Sequence, residues 1–309
     1  MKKNNEIIVG VSTYNGEKTL EKTLKSLEKQ KFKNFSVFIS DDKSTDNTVE
    51  IIKSYSKRND NFYYEINNEN TGMISNLNKI FLRSKSKYFT WVDQDDYREE
   101  NFLQECYDEI KKNPNASLVY AQTGIRNKKN GKLMHINTIN SIANIKDISK
   151  RYINLLNNFH DTIIYSLIRT ESLRNTSLWT NINGSANRLI FELALEGEFV
   201  QVKKTLSYYN GKGLSNRYSQ DQEFFRQSKV KRKFYQIAFL ILFLSQLRDI
   251  FVRNIDLFSK FKIFLFIILN FLLINLSKLV FRVISKIFFK KLDNLIFNII
   301  LKIIPENKD

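Results

Sequence analysis

The stretch that decides the fold reads Phe89-Thr90-Trp91-Val92-Asp93-Gln94-Asp95-Asp96. A short apolar, β-favouring run is followed at once by three carboxylates within four positions. Like charges this close repel and raise each other's pKa unless a cation or hydrogen-bond donors keep them ionised. The cluster therefore predicts a divalent metal or a strongly polar pocket at the end of a buried strand. The alternative is an acidic loop in which Asp96 is the N-cap of the next helix.

Strand and helix patterns alternate around this stretch, from residue 6 to residue 113. Strands are predicted at Glu6–Val11, Phe35–Ile39, Phe62–Ile66 and Tyr88–Val92, with amphipathic helices around Leu24, Ile52, Ile80 and Cys106. Such alternation is typical of an α/β fold with a mostly parallel sheet covered on both faces. Ligands bind beyond the carboxyl ends of such strands. Acidic turns at 41–46 and 93–96 follow two of these strands, so both clusters indicate one edge of the sheet.

The pattern is harder to interpret from residue 114 to residue 160, and it becomes clearer again from Ile163. Further strands are predicted at Ser117–Ala121, Ile163–Ile168, Phe199–Val202 and Leu206–Tyr209, and a turn at Asn127–Gly131. A helix with Leu189, Ile190, Leu193 and Ala194 is expected to end at Gly197, in the C′ position. The rest of residues 114–160 has no clear period.

Composition excludes several classes of protein. Two Pro and nine Gly argue against a disordered chain. The single Cys106 cannot form a disulfide framework and favours a reducing compartment, and two His argue against a histidine metal site or triad. The first apolar run, Ile7–Val11, is too short for a secretory signal, so we expect the catalytic part in the cytoplasm.

The positive charge is concentrated in residues 229–309. This tail holds 15 Lys and Arg against 5 Asp and Glu, or +10 of the net charge of +17, and it is also the most apolar part. Between Lys262 and Lys278 lie fifteen uncharged residues, about 22 Å of helix at ~1.5 Å per residue and less than the ~30 Å of a membrane's hydrocarbon core.

The next turns of the tail have two distinct faces. Leu276, Leu279, Val280, Val283, Ile284 and Ile287 face one way, and Lys278, Arg282, Lys286 and Lys290 face the other. This is typical of a basic amphipathic helix in an anionic membrane interface. We therefore expect a peripheral or monotopic association of the tail with the cytoplasmic face of the cell membrane. The alternative is a helical subdomain that packs on the enzyme core.

Three motifs occur in register over the first hundred residues. They are Val9-Gly10-Val11-Ser12-Thr13-Tyr14-Asn15-Gly16-Glu17, Asp41-Asp42-Lys43-Ser44-Thr45-Asp46 and Asp93-Gln94-Asp95-Asp96. Together they resemble the inverting family 2 glycosyltransferases of the GT-A fold. Residues 165–173 and 184–209 look like the acceptor-side half of bacterial polysaccharide members. The resemblance implies a GT-A domain at 1–228, with a nucleotide-sugar half at 1–113 and an acceptor half at 114–228, and leaves out the helical tail at 229–309.

The resemblance also implies roles for individual residues. Asp95 would bind Mg²⁺ or Mn²⁺, for which hard oxygen ligands are suited. Asp93 would contact the donor's ribose or the metal, Asp96 would shape the site near the donor sugar, and Asp42 would accept a hydrogen bond from the nucleobase. The other wall of the donor site would be formed by Ser12, Thr13, Asn15 and Glu17. As an alternative, Asn15 and Asp42 could simply cap helices or turns.

An inverting transfer also needs a base that takes the proton of the acceptor hydroxyl. In related sequences it is an Asp that opens the helix before a Leu-Ala-x-x-Gly stretch, and here that position reads Asn187. An amide cannot act as the base. Either the register is shifted, or Asp161, Glu192 or Asp96 takes the role, or the protein is catalytically impaired.

The sequence thus predicts a membrane-associated glycosyltransferase. It would transfer a sugar, with inversion, from a nucleotide-sugar donor to a lipid-linked or surface-glycan acceptor. The main alternative is a non-catalytic member of the fold that binds a nucleotide sugar or scaffolds a membrane assembly. A nucleotidyltransferase is disfavoured because no basic residue follows the first strand before Lys18. Nucleic-acid binding is disfavoured because the basic residues line an apolar helix.

Overall fold

A computed structural model describes residues 5–126, 133–135, 140–158, 161–181, 184–209 and 243–269. The chain divides into two compact units, residues 1–255 and 256–309. The domain boundary predicted between residues 228 and 229 lies outside the described residues, and so do the predicted turn at 127–131 and the amphipathic helix at 276–290.

The first unit alternates strands and helices as predicted. Its strands are β1 Ile7–Thr13, β2 Phe35–Asp41, β3 Phe62–Ile66, β4 Tyr88–Asp93, β5 Tyr97–Arg98, β6 Ala116–Arg126, β7 Leu133–His135, β8 Leu167–Arg169 and β9 Glu198–Tyr209. Its helices are α1 Leu20–Glu28, α2 Thr48–Arg58, α3 Met73–Leu82, α4 Phe102–Lys112, α5 Ile148–Asn157, α6 Thr170–Arg174 and α7 Ser185–Glu196, with 3-10 turns at Asn140–Ile142 and Asp161–Tyr165. Residues 243–252 are also helical.

All nine strands belong to one sheet, in the order β3-β2-β1-β4-β8-β6-β9-β5, with β7 paired to β6. Strands β3, β2, β1 and β4 are mutually parallel, which confirms the prediction from the alternating pattern. The other half is mixed, because β8 is antiparallel to both β4 and β6 while β6 and β9 are parallel. The sheet is therefore parallel where helices connect its strands and mixed beyond β4.

Helices cover both faces of the parallel half, so its inner strands β2, β1 and β4 are almost entirely buried, whereas the edge strand β3 is partly exposed. On one face, Leu24 of α1, Ile52 of α2 and Cys106 of α4 belong to the same core cluster as Val9 and Val37. The opposite face is aromatic. There Trp91 packs edge-on against Phe89 and Trp179, with ring centroids 4.8 and 5.7 Å apart. This double burial explains the nearly continuous apolar runs of β1 and β2.

Two predictions about the second half of the first unit were wrong in detail. Residues Ile163–Ile168 do not form one strand, since a 3-10 turn at Asp161–Tyr165 precedes the short strand β8. Ile163 and Ile164 are both buried. A turn can bury two successive side chains, whereas a strand with one exposed face places them on opposite sides. The predicted strands Phe199–Val202 and Leu206–Tyr209 are one strand, β9, whose register against β6 shifts between Ala121 and Thr123.

Gly197 follows α7, as predicted, but for a different reason. Its φ of 179° is extended, so it is not a left-handed C′ residue. A Cβ atom there would lie 2.6 Å from the backbone oxygen of Asn115 and 2.7 Å from the backbone nitrogen of Ser117. Glycine is required because the start of β9 passes directly against the start of β6.

The second unit is described over residues 256–269, of which 257–269 are helical, as predicted for the tail. Its large apolar side chains are exposed along one stripe, formed by Leu257, Phe258, Phe261, Leu265 and Leu269. Within the described parts of the chain, no helix has the length and apolar character needed to span a membrane.

Substituting Gly197 tests the close passage of β6 and β9. We expect Gly197→Ala to lower the free energy of unfolding by about 1–3 kcal/mol, because the contacted atoms are backbone and cannot swing away. Gly197→Val should lower it further. Urea denaturation measures both values, and a midpoint for Gly197→Ala equal to that of the wild type would contradict the assignment.

Candidate active site

The carboxyl ends of β2, β1 and β4 bring the sequence-predicted donor-site residues to one edge of the sheet. The register pairs Thr13 with Asp41 and Ser12 with Asp93, so the three strands end level with one another. The loops after these strands carry Asn15, Glu17, Asp42, Asp95 and Asp96. The structure thus places both acidic turns beside the loop that follows β1.

Hydrogen bonds tie the loop after β1 to the acidic turn after β2. Asn15, with a φ of 48°, accepts a hydrogen bond at Oδ1 from the Thr45 backbone at 2.9 Å, and its own backbone donates to Ser44 Oγ at 2.8 Å. Glu17 Oε2 accepts from the backbone and side chain of Asn47, each at 3.3 Å. The side chains of Asn15 and Glu17 therefore hold the loop after β1 against the turn that follows β2.

Asp42 is buried and held by donors from the segment before α3. Its Oδ1 accepts from Asn67 Nδ2 at 2.8 Å and from the backbone and hydroxyl of Thr71, both at 2.9 Å. Its Oδ2 accepts from the Gly72 backbone at 2.8 Å. Burial alone would raise the pKa of this carboxyl, but the hydrogen bonds from Thr71, Asn67 and Gly72 bring it below its ordinary value.

The segment that holds Asp42 needs a glycine. Gly72 has φ 83° and ψ 155°, a backbone conformation that only glycine adopts without strain. Its N–H is thereby directed at Asp42 Oδ2, which accepts from this one donor among the described residues. A carboxylate oxygen has two lone pairs. Asp42 is thus an ionised acceptor that can take one more hydrogen bond from a ligand.

In the acidic cluster after β4, burial disfavours the ionised forms of Asp93 and Asp95, and neighbouring groups offset this cost only in part. The Tyr165 hydroxyl donates to Asp93 Oδ2 at 2.5 Å. Burial still raises the pKa of Asp93, although Tyr165 and Arg98 oppose the shift. Burial, together with the charge of Asp93, raises the pKa of Asp95 to about 6. The two carboxyl groups therefore resist ionising together.

Asp96 lies deeper, and it does not cap the next helix. Helix α4 begins at Phe102 with Asn101 in the N-cap position, so the interpretation of Asp96 as its N-cap was wrong. The Asp96 side chain is 2% exposed, and its Oδ2 lies 3.9 Å from Nη1 of the equally buried Arg98. Arg98 is the positive charge next to the acidic cluster.

The types of the acidic residues are compatible with a divalent cation. Within the described ranges, no three Asp, Glu, His or Cys side chains surround a common point. Asp93 and Asp95 nevertheless supply two carboxylates, and Mg²⁺ is usually bound by one or two carboxylates together with waters and substrate phosphates. Burial raises the pKa of both carboxyl groups, and the charge of Asp93 adds to the shift of Asp95, so a cation would favour their ionised forms.

Gln94 is a structural residue of the site that the sequence patterns did not reveal. Its Oε1 accepts from Thr13 Oγ1 at 2.6 Å and from the Tyr14 backbone at 3.0 Å, while its Nε2 donates to the Tyr14 oxygen at 3.2 Å. These three bonds join the acidic loop to the loop after β1. The sequence feature that could have indicated this role is the position of Gln94 between Asp93 and Asp95.

The candidate bases have different surroundings. Asn187 is half-buried in the first turn of α7. Glu192, on the same helix, is buried and accepts from the Ser177 backbone at 2.5 Å and the Ser177 hydroxyl at 2.7 Å, with Arg188 at 3.1 Å. Asp161 begins the 3-10 turn before β8, and its side chain lies outside the described residues.

Solved structures show that this architecture is the GT-A fold. Staphylococcus aureus TarS 1–349, in complex with UDP-GlcNAc, aligns with a TM-score of 0.60 and 20% identity over 82% of this chain and 69% of that chain. The mannosyltransferase PcManGT of Pyrobaculum calidifontis, in complex with GDP-Man and Mn²⁺, aligns with a TM-score of 0.51 and 15% identity over 79% of this chain and 71% of that chain. The predicted fold class is confirmed.

The family is equally well defined. The sequence pattern of Glycosyl transferase family 2 matches residues 8–176, more than half of the 309 residues, and the chain belongs to this family. The GalNAc(5)-diNAcBac-PP-undecaprenol beta-1,3-glucosyltransferase of Campylobacter jejuni is 33% identical over 92 residues, which are 29% of this chain and 30% of that protein. This chain spans less than half the length of the curated relatives that it matches.

The opposite pKa shifts of Asp95 and Asp42 predict opposite effects on stability. The raised pKa of Asp95 means that its ionisation destabilises the fold as the pH rises from about 4 to 6. We therefore expect Asp95→Asn, in EDTA at pH 7.5, to raise the free energy of unfolding by about 1–2 kcal/mol after screening by solvent. The gain should shrink at pH 4.5, and urea melts at both values measure it.

Asp42→Asn is the matched control, since its lowered pKa means that the charged form stabilises the fold above about pH 4. This variant should be destabilised to nearly the same extent at pH 7.5 and at pH 4.5, with a smaller loss only below about pH 4, where Asp42 itself becomes protonated. If both substitutions destabilise the protein at pH 7.5, the raised pKa of Asp95 is contradicted.

Proposed function

We propose that the protein is a glycosyltransferase that transfers a sugar from a nucleotide-sugar donor to a glycan or lipid-linked acceptor. The observation that carries this proposal is the position of Asp42 and of the Asp93 and Asp95 pair on either side of β1. Two strand spacings of ~4.8 Å separate the ends of β2 and β4 by about 10 Å. A nucleoside diphosphate can bridge this edge, with its base at Asp42 and its phosphates at the acidic pair.

The charge state of Asp42 restricts the nucleobase. An ionised carboxylate only accepts hydrogen bonds, so the base must present an N–H donor. Uracil and guanine present a ring N–H, whereas the corresponding ring nitrogens of cytosine and adenine are acceptors, and those two bases donate only through an exocyclic amino group. UDP-GlcNAc and GDP-Man, the ligands of the two solved structures, both satisfy this requirement. We expect a UDP-sugar or GDP-sugar donor.

Asp95 and Asp93 would hold Mg²⁺ or Mn²⁺, in keeping with the Mn²⁺ of the Pyrobaculum structure. When bound, the cation neutralises the charge that develops on the leaving diphosphate. Asp95 and Asp93 provide its carboxylate ligands, and Gln94 keeps the acidic loop against the loop after β1. Ser12 and Thr13, at the end of β1, border the space between base and diphosphate.

Inversion requires a general base on the acceptor side. Asn187 cannot take a proton, and Glu192 is engaged by Ser177 and Arg188. We therefore assign Glu192 a structural role. Asp96 is equally buried and lies beside Arg98, so of the candidate bases we expect Asp161 to take the proton.

The acceptor class and the location are proposed from the relatives and the tail. The name of the Campylobacter protein describes transfer to an undecaprenol-linked acceptor. Residues 229–309 carry a charge of +10, and helix 257–269 exposes an apolar stripe beside Lys260 and Lys262. Apolar side chains beside basic ones favour an anionic membrane surface. We propose that the tail binds peripherally to the cytoplasmic face of the membrane.

A donor screen tests the enzymatic proposal. In Mn²⁺, purified protein should hydrolyse or transfer at least one UDP-sugar or GDP-sugar and should ignore CDP- and ADP-sugars. Asp95→Ala should lower kcat/KM by about 100-fold or more, because it removes charge stabilisation at the leaving group. Asp108→Ala, a carboxylate on α4 that hydrogen-bonds Gln104, is the control and should retain activity. Absence of turnover with every donor would contradict the proposal.

Sedimentation with lipid vesicles tests the membrane proposal. The protein should bind phosphatidylglycerol vesicles and not phosphatidylcholine vesicles, since the tail is basic. Replacing Leu257, Phe258 and Phe261 together by Ser should weaken binding by about 10-fold or more, because less apolar surface enters the interface. Leu82→Ser, at an exposed leucine of the first unit, should have no effect. Equal binding of the triple variant and the wild type would refute the role of helix 257–269.

A further inference from the structure

Tyr165 makes the one hydrogen bond that reaches the Asp93 carboxylate from the described residues. It is the last residue of the 3-10 turn Asp161–Tyr165, which the chain enters from the acceptor half. Its hydroxyl lies 2.5 Å from Asp93 Oδ2. A residue distant in sequence thus contacts an acidic residue that, in our proposal, binds the metal.

The turn that carries Tyr165 is fixed against the strand that carries Asp93. Strand β8 starts two residues later and pairs with β4 through Phe89 and Ile168. The Tyr165 backbone oxygen also accepts from Thr90 Oγ1 on β4 at 3.4 Å. The pairing of β8 with β4 therefore fixes the position of the Tyr165 side chain relative to Asp93.

The space behind Tyr165 is too small for a substrate. A cavity of about 10 Å³ is lined by Asp96, Arg98, Thr123, Tyr165 and Ser207. That volume is close to the minimum for one ordered water. Arg98 is 2% exposed, and its Nε and Nη2 have no hydrogen-bond partner among the described residues. Tyr165 therefore lines this small polar cavity and also donates to the Asp93 carboxylate.

We propose that Tyr165 is a positioning residue of the donor site: by holding Oδ2 of Asp93, it leaves Oδ1 oriented for the cation that binds the donor's diphosphate. This inference rests on the proposed function. The terminal torsion of an aspartate is broad, so a carboxylate without such a partner turns freely. Outer-shell hydrogen bonds of this kind typically contribute 10–100-fold to metal affinity.

The test uses Tyr165→Phe, which keeps the aromatic ring and removes only the hydroxyl. Free Mn²⁺ is measured by electron paramagnetic resonance in the presence of UDP or GDP, whichever the full-length protein binds. We expect the variant to bind Mn²⁺ about 10–100-fold more weakly. The KM for the donor should rise, while the melting temperature in EDTA changes little.

Tyr55→Phe is the matched control. Tyr55 is also buried, and its hydroxyl donates to the Glu21 backbone oxygen at 3.1 Å, remote from the acidic cluster. Its Mn²⁺ affinity should equal that of the wild type. If Tyr165→Phe lowers stability to the same extent as Tyr55→Phe and leaves Mn²⁺ affinity unchanged, Tyr165 only links β8 to β4 and the inference is overturned.

A double-mutant cycle shows whether Tyr165 acts through Asp93. In the Asp93→Asn background, adding Tyr165→Phe should produce no further loss of Mn²⁺ affinity. An equal loss in both backgrounds would overturn the inference and leave the proposed function intact. If the wild type itself binds no Mn²⁺ in the presence of nucleotide, the proposed function fails. That outcome is distinct from one in which the wild type binds Mn²⁺ and Tyr165→Phe binds it equally well, which overturns only the role of Tyr165.

Discussion

The main electrostatic constraint on this structure is the group of carboxylates at the end of β4, which the fold withdraws from water. Asp93 and Asp95 are partly withdrawn from water beside each other, and both have a raised pKa. Such an arrangement opposes folding unless another charge or donor compensates it. Tyr165 and Arg98 compensate it in part. The part of this cost that Tyr165 and Arg98 leave is one that a bound cation would reduce.

The loops around this charge are held by hydrogen bonds within the protein. Gln94 joins the acidic loop to the loop after β1, and Asn15 joins that loop to the turn after β2. Asp42 is fixed by Thr71 and Gly72 and retains one free acceptor position. A preorganised edge of this kind costs little reorganisation when a nucleotide binds.

The two halves of the sheet contribute differently to the site. The parallel half, which lies within the part of the chain that matches family 2, brings the ends of β1, β2 and β4 to one edge of the sheet. The mixed half adds β8, which is antiparallel to β4 and places the preceding turn against the acidic cluster. The second half of the first unit thereby reaches the acidic cluster through the hydrogen bond of Tyr165 to Asp93.

The sequence by itself determined the parallel strands, their helices, the family and the edge where the acidic turns meet, because periodicity and local motifs encode them. It did not reveal Tyr165, Arg98 or Gln94 as parts of the site. It also misjudged Ile163–Ile168, and it placed Asp96 as a possible cap of a helix that begins at Phe102. Tyr165 lies 72 residues from Asp93 along the chain. Only the tertiary structure decided these partnerships, since they arise from strand pairing across the sheet and no local pattern records which distant side chain compensates a buried charge.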